Sequence, residues 1–111
     1  MHERDAALIR LMIETIDRIV LYTSDMEAPE DLEKDVKSFD ATIMNFIVLG
    51  ESVGKLSDDF KVKHQDIDWR KIYAFRNVLA HDYFGIYPAE VWEIIRADIP
   101  ALKKALFILN S

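Results

Sequence analysis

Apolar residues recur along this chain at steps of three and four almost from end to end, and that spacing leaves room for little besides a bundle of helices. Leu8, Met12, Ile16, Ile19 and Thr23 form one such row, widened by Ile9, Ile13 and Val20, which predicts a first helix from about Asp5 to about Thr23. The stretch "SDMEAPEDLEKDV" breaks the row. Pro29 suits a first helical position, and Glu30 and Asp31 suit the positive end of a helix dipole, so a short second helix runs to about Val36. A third begins near Ser38 and reaches Leu56 or beyond along Ile43, Ile47, Gly50 and Gly54. Each of those glycines costs a helix about 1 kcal/mol against alanine, and the compensating gain is close approach of another helix to that face. Asp68 can cap a fourth helix, with Ile67 and Ile72 at the two positions of a hydrophobic staple. The final helix opens at Pro88, and Pro100 must kink or restart it because proline lacks the amide hydrogen. The expectation is one all-α domain over residues 1–111, with four main helices and a short one in up-and-down order.

At 111 residues, folding buries roughly two-thirds of the unfolded surface, enough for a core without covalent staples. The chain has no cysteine, which removes disulfides, thiolate nucleophiles and cysteine-ligated metals from consideration. The opening "MHERDAALIRLMIETIDRIV" carries a charge every few residues, unlike a secretory signal or a membrane span. A cytoplasmic protein with no membrane partner is expected. The net charge of −6 speaks against a generalist nucleic-acid binder. Its distribution is uneven, however. Residues 1–59 hold 6 Lys/Arg against 14 Asp/Glu, residues 60–81 hold 5 against 2, and residues 82–111 hold 3 against 4. The one cationic window contains Lys61, Lys63, Arg70 and Lys71 as candidate RNA contacts, and a local positive field can attract a polyanion that the rest of the surface repels.

That window leads into "FRNVLAHDYFG", where Arg76, His81 and Tyr83 stand within eight residues, with Asn77 and Asp82 beside them. A guanidinium is permanently charged and its forked donors match a phosphate. An imidazole titrates near neutrality, so it can take and return a proton in one cycle. Together they suffice for RNA cleavage without a metal: a base takes the 2′-hydroxyl proton, and arginine stabilises charge building on the phosphoryl oxygens. The three histidines show no metal-ligand spacing, and no cofactor is expected. The same residues can equally form a capping and salt-bridge cluster at a helix end. On an unbroken helix Arg76 and His81 lie about 140° apart. Joint action on one phosphate therefore requires the helix to end or distort near Ala80, or the two to meet across a subunit interface.

"RNVLAHDYFG" resembles the R-x4-H-x-Y motif of the HepT-like branch of the HEPN families. The resemblance extends through "LGESVGKLSDDFKVKHQDIDWRKIYAFRNVLAHDYFGIYPAEVWEIIRADIPALKKAL", most of residues 38–108. It implies an all-α HEPN bundle that forms a homodimer, with two copies of the motif facing one cleft. It further implies the toxin of a HEPN/MNT toxin–antitoxin pair, a metal-independent endoribonuclease acting on mRNA or tRNA. The partner it implies is a minimal nucleotidyltransferase (MNT) antitoxin that adenylylates the motif tyrosine. Carried onto this chain, Arg76 and His81 are catalytic, Asn77 is the supporting polar residue and Tyr83 is the AMPylation site. The alternative within the same resemblance is a non-catalytic module that binds a nucleotide or regulates a nucleotidyltransferase.

Overall fold

The computed structural model describes residues 1–82 and 85–110. Among them every regular element is a helix: α1 (Glu3–Thr23), α2 (Pro29–Lys34), α3 (Val36–Lys55), α4 (Asp58–Lys63), α5 (Trp69–His81), α6 (Pro88–Ala97) and α7 (Ile99–Asn110). The all-α reading of the periodicity therefore holds. No helix of the described residues is long and apolar enough to cross a membrane.

Helix α1 buries Ile9, Met12, Ile16 and Ile19 completely, along the row that the spacing defines. Its two buried threonines keep the helix intact by donating their hydroxyls to carbonyls one turn back, Thr15 to Leu11 O at 2.8 Å and Thr23 to Ile19 O at 2.8 Å. Val20, expected to widen the stripe, is exposed instead. Helices α1 and α3 form the central pair. Helix α5 lies against α3, α7 against α1, and α2 against α6. Ile43, Phe46, Leu49 and Val53 from α3 close the core with Leu79, Val91, Ile99 and Leu106.

Acidic and hydroxyl side chains fix where the helices begin. Asp35 separates α2 from α3 by a single residue, and its carboxylate accepts from Ser38 N at 3.0 Å and Ser38 Oγ at 2.7 Å. That cap is why α2 stops at Lys34 rather than continuing to Val36, and why α3 starts two residues earlier than the apolar row suggests. Asp68 caps α5 by accepting from Lys71 N at 3.1 Å, as expected.

Two features correct the expected count of four main helices and one short one. The final helix is divided: Asp98 N donates the last bond of α6 to Ile94 O at 2.9 Å, and Asp98 O accepts the first of α7 from Leu102 N at 3.0 Å. Pro100 then sits in the first turn of α7, where its missing amide hydrogen breaks no helical bond. The second correction is α4, which follows α3 after Leu56 and Ser57. Ser57 caps it by accepting from Phe60 N at 3.2 Å, and only Phe60 of its six residues is buried, too few for a periodic signal.

Ser57 is itself held from a distance. Asp5, buried on α1, accepts from Ser57 N at 2.9 Å and Ser57 Oγ at 2.7 Å, tying the start of the chain to the α3–α4 junction. Burial opposes ionisation of this carboxyl. The two Ser57 bonds, with the charges of His2 and Arg4, outweigh it and hold the pKa below the ordinary 3.8. A depressed carboxyl stabilises the fold above its unfolded-state pKa and loses that contribution as pH falls through the folded value. Asp5→Ala is expected to cost about 1–3 kcal/mol at neutral pH, because it leaves the partly buried Ser57 donors unpaired. In urea denaturation at a series of pH values, the gap between wild type and variant should be full at pH 7 and shrink below the ordinary aspartate value of 3.8.

Candidate active site

The expected catalytic residues stand on α5, so their placement follows from how α5 is seated. Its first residue is anchored twice: the Trp69 indole donates to His64 O at 3.0 Å, and its ring lies 6.1 Å from that of Phe60. Six residues further, Phe75 meets Phe46 of α3 edge to face, with centroids 5.2 Å apart. The two glycines of α3 then receive α5, as their spacing predicts. A Cβ built on Gly50 would overlap Cβ of Arg76 and lie 3.4 Å from Ile72 O; one on Gly54 would lie 2.8 Å from the Tyr73 ring.

Arg76 thus has its stem in the helix crossing and its guanidinium at the rim, with 24% of the side chain exposed. Nη1 donates to Asn77 Oδ1 at 2.9 Å, and Nη2 donates to Glu51 Oε1 at 3.2 Å. Nε is buried and has no hydrogen-bond partner among the described residues. The Tyr73 ring lies below, with its centroid 6.0 Å from Cζ. Asn77 is therefore in direct hydrogen-bond contact with the Arg76 guanidinium.

His81 is the last residue of α5 and is exposed. The helix stays regular up to it and ends at Asp82, whose amide donates to Val78 O at 2.9 Å. The helix ends one residue past Ala80, so His81 is still helical. Five residues apart on a regular helix, Arg76 and His81 leave its axis about 140° apart. Tyr83 lies outside the described residues, as does Phe84.

The four basic candidates separate. Lys61 and Arg70 line one open groove of about 960 Å³ between α4 and α5, together with Tyr73 and Asn77. Asp58, Asp66 and Asp68 line it too, so the groove is mixed in charge. Lys63 is exposed at the end of α4. Lys71 lies at a smaller apolar cavity of about 250 Å³ between α3, α5 and α7, where it pairs with Asp98 at 3.4 Å. Lys71, in the first turn of α5, is thereby paired with a carboxylate at the α6–α7 junction.

A model of the family described as Ribonuclease HepT-like matches residues 12–107. The chain belongs to the HepT-like ribonuclease family. It is 28% identical over 110 residues to "Putative RNase MJ1380" of Methanocaldococcus jannaschii, an alignment covering 98% of this chain and 100% of the relative. It is 36% identical over 75 residues to "Putative RNase TTE0752" of Caldanaerobacter subterraneus subsp. tengcongensis, covering 68% of this chain and 67% of the relative. "Probable ribonuclease HepT" of Thermococcus cleftensis is 36% identical over 74 residues, 67% of each chain. No solved structure matches the chain.

The contacts of Arg76 include one residue that periodicity did not single out, Glu51. Its signal was present in its neighbour: Gly50 marks where α5 crosses, so the next residue of α3 falls beside the crossing. Gly50→Ala should force α5 away from α3 and lower stability by about 1–3 kcal/mol, measured by chemical denaturation. A variant as stable as wild type would contradict this packing.

Proposed function

We propose that this chain is a metal-independent endoribonuclease, the toxin of a toxin–antitoxin pair, acting as a homodimer in the cytoplasm. The reading rests on membership of the HepT-like ribonuclease family and on one geometric observation. Arg76 and His81 diverge by about 140° on a regular helix, so each chain offers half of a phosphodiester site. The twofold-related copy supplies the other half. Arg76 of one subunit and His81 of the partner subunit then face the same scissile phosphate.

In that cleft the neutral imidazole of His81 removes the proton of an RNA 2′-hydroxyl. The freed oxygen bonds to the adjacent phosphorus, the bond from phosphorus to the 5′ oxygen breaks, and that oxygen takes a proton from an imidazolium. The products are a 2′,3′-cyclic phosphate and a 5′-hydroxyl. The Arg76 guanidinium stabilises the charge developing on the phosphoryl oxygens, and Asn77 keeps its Nη1 edge oriented. Lys61 and Arg70 border the groove beside Asn77, where flanking phosphates of mRNA or tRNA would lie; Lys63 and Lys71 are the more distant contacts. A minimal nucleotidyltransferase antitoxin silences the toxin by adenylylation: the Tyr83 phenol oxygen bonds to the α-phosphorus of ATP, and pyrophosphate leaves.

His81→Ala is expected to reduce cleavage of total or transfer RNA, assayed with a chelator present, by about a hundredfold or more. Its melting temperature and dimer mass should stay those of wild type. If His81→Ala cuts RNA at the wild-type rate, the catalytic assignment fails; if wild type shifts RNA in a gel without cutting it, a non-catalytic regulatory module takes its place. Incubation with the nucleotidyltransferase and ATP should add AMP to wild type and none to Tyr83→Phe, read by intact mass. AMP found on the phenylalanine variant would move the modification to another side chain.

A further inference from the structure

Two adjacent residues of α3 act on opposite ends of the same arginine. Gly50 admits the Arg76 stem, since any Cβ there would overlap it, while Glu51 takes the tip, with Oε1 3.2 Å from Nη2. Asn77 holds the other terminal nitrogen at 2.9 Å. With Nε buried, the guanidinium can neither swing toward solvent nor rotate about its plane without losing one of these contacts. Each terminal nitrogen still carries a second N–H with which to donate to a phosphate.

We infer that Glu51 is a positioning residue for the proposed nuclease, fixing the Arg76 guanidinium so that its outer edge meets the scissile phosphate. The inference rests on the ribonuclease reading above. A carboxylate beside a cation that must stabilise an anion is electrostatically unfavourable for catalysis if charge alone matters. Its presence is accounted for by geometry, because a guanidinium held in one orientation reaches the transition state without reorganising. The two roles predict opposite signs, which makes the inference testable.

Glu51→Ala should lower kcat for RNA cleavage by about ten- to a hundredfold, with KM little changed, since the phosphate-binding edge survives but its orientation does not. Glu51→Gln keeps an acceptor oxygen for Nη2 and should recover most of the lost rate despite removing the charge. A side-chain NMR spectrum reports the same event without substrate. The Arg76 Nε–H resonance should be sharp and slow to exchange in wild type and Glu51→Gln, and broadened and fast in Glu51→Ala. Cleavage that rises in either variant overturns the inference, because the carboxylate would then compete with phosphate for Arg76. Equal losses in Gln and Ala overturn it as well, as does an unchanged Arg76 resonance in Glu51→Ala. Should wild type cut no RNA at all, the nuclease reading fails separately and the resonance still decides whether Glu51 fixes Arg76.

Discussion

The crossing of α5 over Gly50 is the contact on which the rest of this molecule's arrangement depends. Helix axes usually pack 8–10 Å apart, at a distance set by the side chains between them. At this crossing one partner contributes no side chain at all, and the other contributes the Arg76 stem. The residue proposed to meet the scissile phosphate is thereby also a packing residue. Its methylenes fill the crossing while its charged end lies at the rim beside Glu51. Lysine in its place would keep the stem and the charge but lose the planar fork that meets Glu51 and Asn77 together.

The acid-rich composition takes on a structural meaning once the helix ends are seen. Asp31 accepts from Glu27 N at 2.9 Å and Ala28 N at 3.2 Å ahead of α2; Asp35 starts α3, and Asp68 starts α5. Asp5 holds the cap of α4 across 52 residues of sequence. Several carboxylates of the strongly negative first half are thus committed to backbone amides. They satisfy donors that helix termini leave unpaired, and they do so where the helix dipole favours negative charge.

This division explains what could be read from the sequence. Local rules were enough for Pro29, Asp68 with Ile67 and Ile72, Pro88 and Pro100, because each acts through neighbours within one helical turn. The glycine pair was legible for a different reason: two helix-weakening residues on one face make sense only if something presses against that face. Helix α4 escaped because one buried phenylalanine gives no period, although Asp58 and Asp59 in its first turn and Lys61 and Lys63 in its last fit the dipole. The pairings of Lys71 with Asp98 and Asp5 with Ser57 were not legible at all, and for Glu51 with Arg76 Gly50 marked only the neighbourhood, not the partner. Each joins residues far apart in the chain, and the partner depends on the angle at which two helices cross.

The same dependence on tertiary placement changes what the cationic window means. In the sequence, residues 60–81 hold 5 basic against 2 acidic side chains. In the fold, Lys71 is turned to Asp98, Arg76 to Glu51, and Lys61 lies 3.9 Å from Asp58, while Asp66 and Asp68 border the groove that Arg70 enters. Surface ion pairs of this kind add little stability, but they do cancel local field. A polyanion approaching this face therefore meets a mixed surface rather than a positive one, on a chain of net charge −6. Long-range attraction is then a weak source of affinity. On the proposed nuclease reading, recognition of RNA falls to short-range contacts at fixed donors, and a guanidinium hydrogen-bonded to Glu51 and Asn77 is such a donor.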